Sequence, residues 1–370
     1  MTERAGLEER DWLYALATTP GVGRKRLRNI LETWGSLADF AGHIQQKRDD
    51  SLLFDTQLRR LLRERLTPER VWEEKRKRVA AGIRFVCLLD ADFPAALTHI
   101  PDPPLLLFYK GELGWLDRPL IAVVGTRRPT PYGKAACARL CEQLAKAGFV
   151  IVSGVASGID AEAHRAALRS GAGTVGVLGC GIDQVYPPVN RPLYRQVESS
   201  GLLLSEYPPG TPPRQGLFPE RNRIISGLSL GVVVIEAAEK SGSLITADCA
   251  LEQGKEVFAV PGPIFSEVSA GPHNLIKQGA KLVTGWEDIL DEFPHLVPAL
   301  RRSIQPAAAP RLEEAERKLL ALIPYEPVHW DHLHEALDPE ARRTMDRELV
   351  CLETKGCIIS LPGGYYARRE

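Results

Sequence analysis

The rhythm of hydrophobic and polar positions changes twice along the chain. Between residues 9 and 82, Leu13, Leu16, Ile30, Leu31, Leu37, Phe40, Leu58, Leu61, Leu62 and Val71 recur at spacings of three and four, which predicts helices. Pro20, Gly21, Gly23, Gly35 and Pro68 break that rhythm and mark the joints between helices. From about residue 84, short apolar runs take over, at 84–89, 105–110, 120–125, 149–153, 174–178, 202–206, 231–236, 256–260 and 281–283. Segments of helical length and periodicity lie between them, among them 133–148, 161–170 and 243–254. Runs apolar on both faces, joined by helices, predict a parallel sheet covered on both sides, an α/β domain of extended Rossmann-like type.

After residue 300 the pattern changes again. Residues 301–310, RRSIQPAAAP, read as a Pro/Ala linker. Helical stretches at 312–323, 329–337 and 340–355 precede two short strand-like runs around Pro362, Gly363 and Gly364. Three helices closed by a hairpin predict a winged helix. The expected organisation is a helical module at 1–82, the α/β domain at 83–300, the linker, and the winged helix at 311–370.

Composition narrows the class. A chain of 370 residues with 44% hydrophobic and 25% charged side chains is globular. No stretch reaches the roughly 20 apolar residues of a membrane span, and the N-terminus lacks an apolar export signal. Seven scattered cysteines, an odd number, suit reduced thiols in a cytoplasm. Lys and Arg balance Asp and Glu at 47 each, which excludes a uniformly basic nucleic-acid binder. The charge is uneven, however. Residues 58–84 hold ten Lys/Arg against four carboxylates, a net of +6, whereas the tail from Pro310 is net −3. The segment 19–27, TPGVGRKRL, resembles a helix-hairpin-helix turn, whose glycines let backbone N–H groups approach a phosphate.

In an open parallel sheet, ligands bind beyond the carboxyl ends of the strands. Four predicted strand ends open there into Gly/Ser-rich turns: Gly125-Thr126-Arg127, Ser153-Gly154 through Ser157-Gly158, Gly179-Cys180-Gly181, and Lys240-Ser241-Gly242-Ser243. Such turns can offer unpaired N–H groups and positive helix ends to anions. The segment 211–226, TPPRQGLFPERNRIIS, places Arg214, Arg221 and Arg223 around Phe218. Guanidinium groups beside an aromatic ring suit single-stranded nucleic acid; the competing reading buries Phe218 and pairs the arginines with Glu206, Glu220 and Glu236.

Other chemistry finds less support. The glycine string at Gly171, Gly173 and Gly176 precedes its strand, the reverse of the dinucleotide order, and no Walker A string occurs. His329, His332 and His334 lack a Cys or acidic partner at zinc-ligand spacing, so no metal is expected. Asp160 and His164 sit four apart on one predicted helix, read as an N-terminal acid beside a satisfied histidine.

Taken in order, GTRRPTPYG, SGVASGIDAEAHRAAL, LGCGIDQVYPPVN, LLLSEYPPG, FPERNRIISGLS, EAAEKSGSLITADCALEQGKEVFAVPG and HNLIKQGAKLV resemble the DNA-processing protein A (DprA/Smf) family. The matching strings run from Gly125 to Val283, with a looser extension back to Phe93. The resemblance implies a non-catalytic protein without cofactor that binds single-stranded DNA, dimerises through its Rossmann-like domain and loads the RecA recombinase in natural transformation or recombination. Carried over, Arg127 would hold a phosphate, Phe218 would stack on a base, and Arg221, Arg223 and Lys240 would line the pocket with Asn274 at its edge. Gly125, Thr126, Ser157, Gly158, Arg214, Ser241, Gly242 and Ser243 complete the expected phosphate face. The sequence departs from the family at Arg214-Gln215-Gly216-Leu217 and at Gly271-Pro272-His273-Asn274. Cations at the strand-end face and along 58–84 would let a neutral chain bind DNA, with weak duplex contact possible through the N-terminal module.

Two rival functions remain. A nucleotide-phosphate-processing enzyme of the lysine-decarboxylase-like group would carry a P-G-G-x-G-T-x-x-E turn, but this chain has EAAEKSGSLITA at the corresponding place. A duplex-DNA regulator would use the winged helix, which is net acidic here.

Overall fold

The computed structural model describes residues 6–46, 54–296, 312–325 and 327–368. They fall into two compact units, Met1–Ile304 and Gln305–Glu370.

The first unit opens with five helices: α1 (Glu9–Ala17), α2 (Arg24–Trp34), α3 (Leu37–Gln45), α4 (Thr56–Arg65) and α5 (Pro68–Ala80). Ser36, Asp55 and Thr67 cap α3, α4 and α5 by accepting the N–H three residues on, and Pro68 starts α5 where no N–H is needed. Eight of the ten predicted apolar positions are buried, and Leu31 and Leu61 pack partly buried against them. The helices do not close a core of their own. Tyr14 lies 5.4 Å from the ring of Phe85 and 6.0 Å from Phe108, and the same apolar cluster continues through Cys87 and Leu106. The break at residue 82 is one of secondary structure, not of packing.

Nine strands follow: β1 (Arg84–Cys87), β2 (Leu106–Gly111), β3 (Leu120–Val124), β4 (Val150–Ser153), β5 (Thr174–Leu178), β6 (Leu202–Ser205), β7 (Gly231–Val234), β8 (Glu256–Ala259) and β9 (Lys281–Leu282). Each lies within two residues of a predicted run. They form one sheet in the order β1-β2-β6-β5-β4-β3-β7-β8-β9. Every pair is parallel except β1 with β2 and β2 with β6. An apolar run carries no direction. Only the one-turn helix α6 (Ala95–Thr98) lies between β1 and β2, too little for a covering crossover, and the chain returns antiparallel.

The remaining helices are α7 (Pro131–Lys146), α8 (Ile159–Arg169), α9 (Arg191–Ser200), α10 (Leu217–Leu228), α11 (Leu244–Glu252), α12 (Ala270–Lys277) and α13 (Trp286–Leu290). On one face Val124, Val152 and Val177 pack against Ile224, Ile225 and Leu228 of α10. On the other, Ile121, Val123 and Ile151 pack against Leu140 and Leu144 of α7 and Ala163 and Ala167 of α8. Because β4 and β7 flank β3, the winding reverses there and leaves a crevice at the carboxyl ends of β3 and β7.

The second unit contains helices Glu314–Leu322, Trp330–Ala336, Pro339–Arg342 and Met345–Thr354 around Leu319, Leu333, Leu349 and Leu352. Strands β10 (Val328–His329), β11 (Ile358–Leu361) and β12 (Tyr365–Arg368) pair in the order β10-β12-β11, as in a winged helix. Strand β10, only two residues long, leaves no periodic signal. The predicted helix 340–355 is broken near Thr344. The predicted linker lies outside the described residues.

Candidate nucleic-acid interface

A cavity of about 540 Å³ occupies the crevice. Gly125, Arg127, Phe218, Arg221, Ser241, Gly242 and Ser243 line it, together with Asn222 and Tyr186. A second cavity of about 420 Å³ shares Ser241 and Gly242 as a wall and contains Lys240 and Asn274. Thr126, Ser157, Gly158, Arg214 and Arg223 line neither.

The turns are less open to anions than their glycines suggest. Thr126 donates its N–H to the Glu236 carbonyl at 2.6 Å. The buried Glu236 carboxylate accepts the Thr130 N–H at 2.9 Å and its hydroxyl at 2.5 Å, so it already occupies the start of α7. Gly133 is a glycine because a Cβ there would fall inside that carboxylate. In the next turn, Asp160 accepts the N–H groups of Gly154 and Ala156 at 3.2 and 3.4 Å. Gly158, at φ +83°, packs on the Thr126 carbonyl and leaves no room for a side chain. Gly181 donates to Thr211. Three of the four expected anion nests are thus satisfied from within the protein. The fourth, at residues 240–243, is bonded within itself as well: Ser241 donates its N–H to the Ala238 carbonyl at 3.0 Å and Ser243 donates its N–H to the Ser241 hydroxyl at 3.4 Å, while Gly242 stays exposed.

Two predicted phosphate ligands are committed elsewhere. Arg221 is buried and donates to the carbonyls of Gly154, at 2.9 Å, and Val177. Burial pushes the Asp160 carboxyl above its ordinary range, and Arg221 opposes that rise. Arg223 donates to both oxygens of Glu206 at 2.6 and 2.8 Å and to Asp102 at 3.1 Å. The expectation that Arg223 lines the pocket is therefore corrected: the pairing with Glu206 that the sequence offered as the competing reading holds for this residue. Burial raises the Glu206 carboxyl while Arg223 lowers it.

The basic run needs a similar correction. Arg59 donates to Phe54, Arg63 to Ile44 and Arg84 to Gly111, all to carbonyls. Arg65 pairs with Glu74, while Lys75 and Arg78 share the buried Asp11. Arg59, Arg63, Arg65, Lys75 and Arg78 hold the helical module together and Arg84 ties β1 to β2, so these six are engaged within the protein, whereas Arg60, Arg70, Arg76 and Lys77 are exposed.

Arg127, Arg214 and Lys240 remain. All three are exposed, and among the described residues none meets a carboxylate at ion-pair distance. The Arg127 guanidinium stands 5.7 Å over the centroid of the half-buried Phe218 ring. Tyr186 lies 5.4 Å from the same ring with a 33° tilt, and Gly179 is a glycine because Phe218 occupies its Cβ position. Tyr186, Asn222 and Asp102 were not expected at the site, and Glu236 was offered only as a partner for the arginines. Tyr186 alone had a signal, an aromatic within LGCGIDQVYPPVN.

His164 is buried. Thr174 gives its hydroxyl hydrogen to the Ile151 carbonyl at 2.6 Å, so its oxygen accepts Nδ1–H of His164 at 2.8 Å. Burial lowers this imidazole to about 3 and keeps it neutral, while Nε2 has no partner. The histidine is half satisfied. Cys87, Cys137, Cys141 and Cys180 are buried free thiols, and burial raises Cys87 to about 12. Among the described residues no His/Cys/Asp/Glu group is arranged to hold a metal, and no helix is long and apolar enough to cross a membrane.

Comparison with known proteins agrees with this architecture. The family described as DNA recombination-mediator protein A matches residues 84–294, and the DprA winged helix domain matches 304–364. Protein Smf of Synechocystis is 37% identical over 83% of this chain and 85% of its own length. Protein Smf of Escherichia coli is 43% identical over 76% and 78%, respectively. The X-ray structure of DNA processing protein A from Streptococcus pneumoniae superposes with a TM-score of 0.65 at 37% identity, covering 76% of this chain and 97% of that one. A second structure describes the single-stranded DNA binding mode of DNA processing protein A from Helicobacter pylori; it gives a TM-score of 0.52 at 34% identity over 57% of this chain and 96% of that one. By sheet, winged helix and matched residues alike, the chain belongs to the DNA recombination-mediator protein A (DprA/Smf) family.

Proposed function

We propose that this protein is a non-catalytic, cytoplasmic single-stranded-DNA-binding recombination mediator that acts as a homodimer through its Rossmann-like domain and loads the RecA recombinase. The observation that carries the DNA reading is the pairing of Phe218 with Arg127: a half-exposed ring for an unstacked base, with an unpaired guanidinium beside it for the adjoining phosphate. Arg214 and Lys240 add cations, and Asn274 adds an amide beside Lys240 in the second cavity. Binding rests on exposed side chains around a ring, not on helix-end amides. The Helicobacter pylori relative's single-stranded DNA binding supports the same reading, and the family's role in recombination supports the mediator step. A nucleotide-processing enzyme would need the helix starts that Glu236 and Asp160 occupy.

Fluorescence anisotropy of a labelled thymidine oligomer, a matching duplex and a salt series tests the reading. Tight binding that prefers the single strand and weakens with salt is expected. Absence of binding at low salt would return the crevice to a small phosphorylated ligand.

A further inference from the structure

The turn between α1 and α2 is the segment whose sequence pointed to duplex DNA, and the function above does not use it. Its arginines face inward or bind locally. Arg24 Nε meets Asp102 at 2.8 Å and Arg24 Nη1 meets Glu220 at 2.6 Å. Arg28 donates to Asp102 and to the Pro103 carbonyl, both at 2.8 Å. Arg26 donates to the Gly21 carbonyl at 2.6 Å. Asp102 also receives Arg223, which holds Glu206. Three guanidinium groups and three carboxylates therefore cancel, which leaves this network no net charge for a phosphate.

The network converges on one element. Glu220 and Arg223 belong to the first two turns of α10 and stand two and five residues beyond Phe218. Helix α10 begins at Gly216 without a side-chain cap, after a proline-containing loop. Its start is held by contacts from several elements: Leu217 donates its N–H to the Arg214 carbonyl at 3.1 Å, the Tyr207 hydroxyl donates to the Leu217 carbonyl at 3.0 Å, and Arg24 adds the pair with Glu220.

We propose that the α1–α2 turn is a latch on α10: Arg24, Arg28 and Asp102 are positioning residues that fix the helix start from which Phe218 reaches the crevice, and the turn is not a duplex-DNA contact. This rests on Phe218 being the base platform. A positioning residue changes affinity through Phe218 and releases no counterions of its own. A phosphate ligand does the opposite.

The test uses the full chain, a labelled thymidine oligomer and a matching duplex over a salt series. Arg24→Glu is expected to weaken single-strand binding about fivefold, the scale of a partly exposed ion pair lost. The slope of log Kd against log salt should stay at its wild-type value. Adding Glu220→Arg should restore most of the affinity. In a Phe218→Ala background, Arg24→Glu should change affinity less than twofold. A slope reduced by about 0.7, no rescue by Glu220→Arg, or an undiminished effect in the Phe218→Ala background would each overturn the latch. A selective loss of duplex binding would do so as well. If Arg24→Glu does not fold, Arg24→Gln carries the affinity, salt-slope and Phe218→Ala expectations at smaller size, without the charge-swap rescue. Phe218→Ala alone leaving affinity unchanged would instead sink the base-platform reading, so the two failures are separable.

Discussion

The helical module and the strand-end rim both carry clustered cations, and they use them in opposite ways. In the module, Arg78 lies 4.5 Å over Phe85 and 5.0 Å over Tyr14 while it donates to Asp11. Its neighbours Arg59, Arg63 and Arg84 reach backbone carbonyls. On the rim, Arg127, Arg214 and Lys240 stay exposed without a carboxylate, and they are far fewer. The difference teaches that the density of charge in a sequence does not measure the charge available to a ligand. Availability depends on what folding brings within reach. Much of the largest cluster is internal structure, and the proposed interface falls to the scattered residues.

That contrast can be broken or sharpened in five places. Arg78→Ala should destabilise the protein by about 3 kcal/mol, because Asp11 loses a buried charged partner and keeps only Lys75 and the Glu8 N–H. Chemical denaturation would measure this, and single-strand affinity of the folded fraction should not move. The second test concerns His164. Its folded value of about 3 lies below the ordinary 6.5. Below pH 6.5 the unfolded chain therefore binds a proton that the folded one refuses, and stability falls as pH drops from 6.5 towards 3. Between pH 7 and pH 5 the loss should be about 2 kcal/mol. Denaturation of His164→Gln over that window should show a correspondingly flatter profile.

On the rim, Phe218→Ala should weaken single-strand binding by about 1–3 kcal/mol through lost stacking, read by anisotropy. Lys240→Ala should cost about 1 kcal/mol and lower the salt slope by about 0.7, the signature of one phosphate on a single strand. Arg60→Ala, on the exposed side of the basic run, should shift affinity less than twofold. A tenfold loss there would restore the helices as a DNA track.

Much of the fold was legible. A short run such as 174–178 can be buried only between two helical layers, so its position and class follow from composition alone. Directions did not follow, because β2 looks like any other buried strand and runs against both its neighbours, β1 and β6, for want of a crossover helix after β1. At the candidate site, Arg127 was legible as a cation at the end of β3, and Phe218 as an aromatic among the arginines of 211–226. The fate of Arg223 could not be settled in advance: its partners Glu206 and Asp102 stand 17 and 121 residues away. Glu236 was invisible as a cap on α7 for the same reason. It lies 106 residues beyond the Thr130 it binds.

The shared packing of Tyr14, Phe85 and Phe108 has a practical consequence for fragments. The family match begins at residue 84, an inviting place to truncate. A fragment cut there would turn Phe85, Cys87, Leu106 and Phe108, now covered by α1, out to water. Such a piece would seek its own kind through an unnatural greasy face. A dimer seen with it could come from that face as well as from the proposed Rossmann-like pairing, and the uncut chain separates the two.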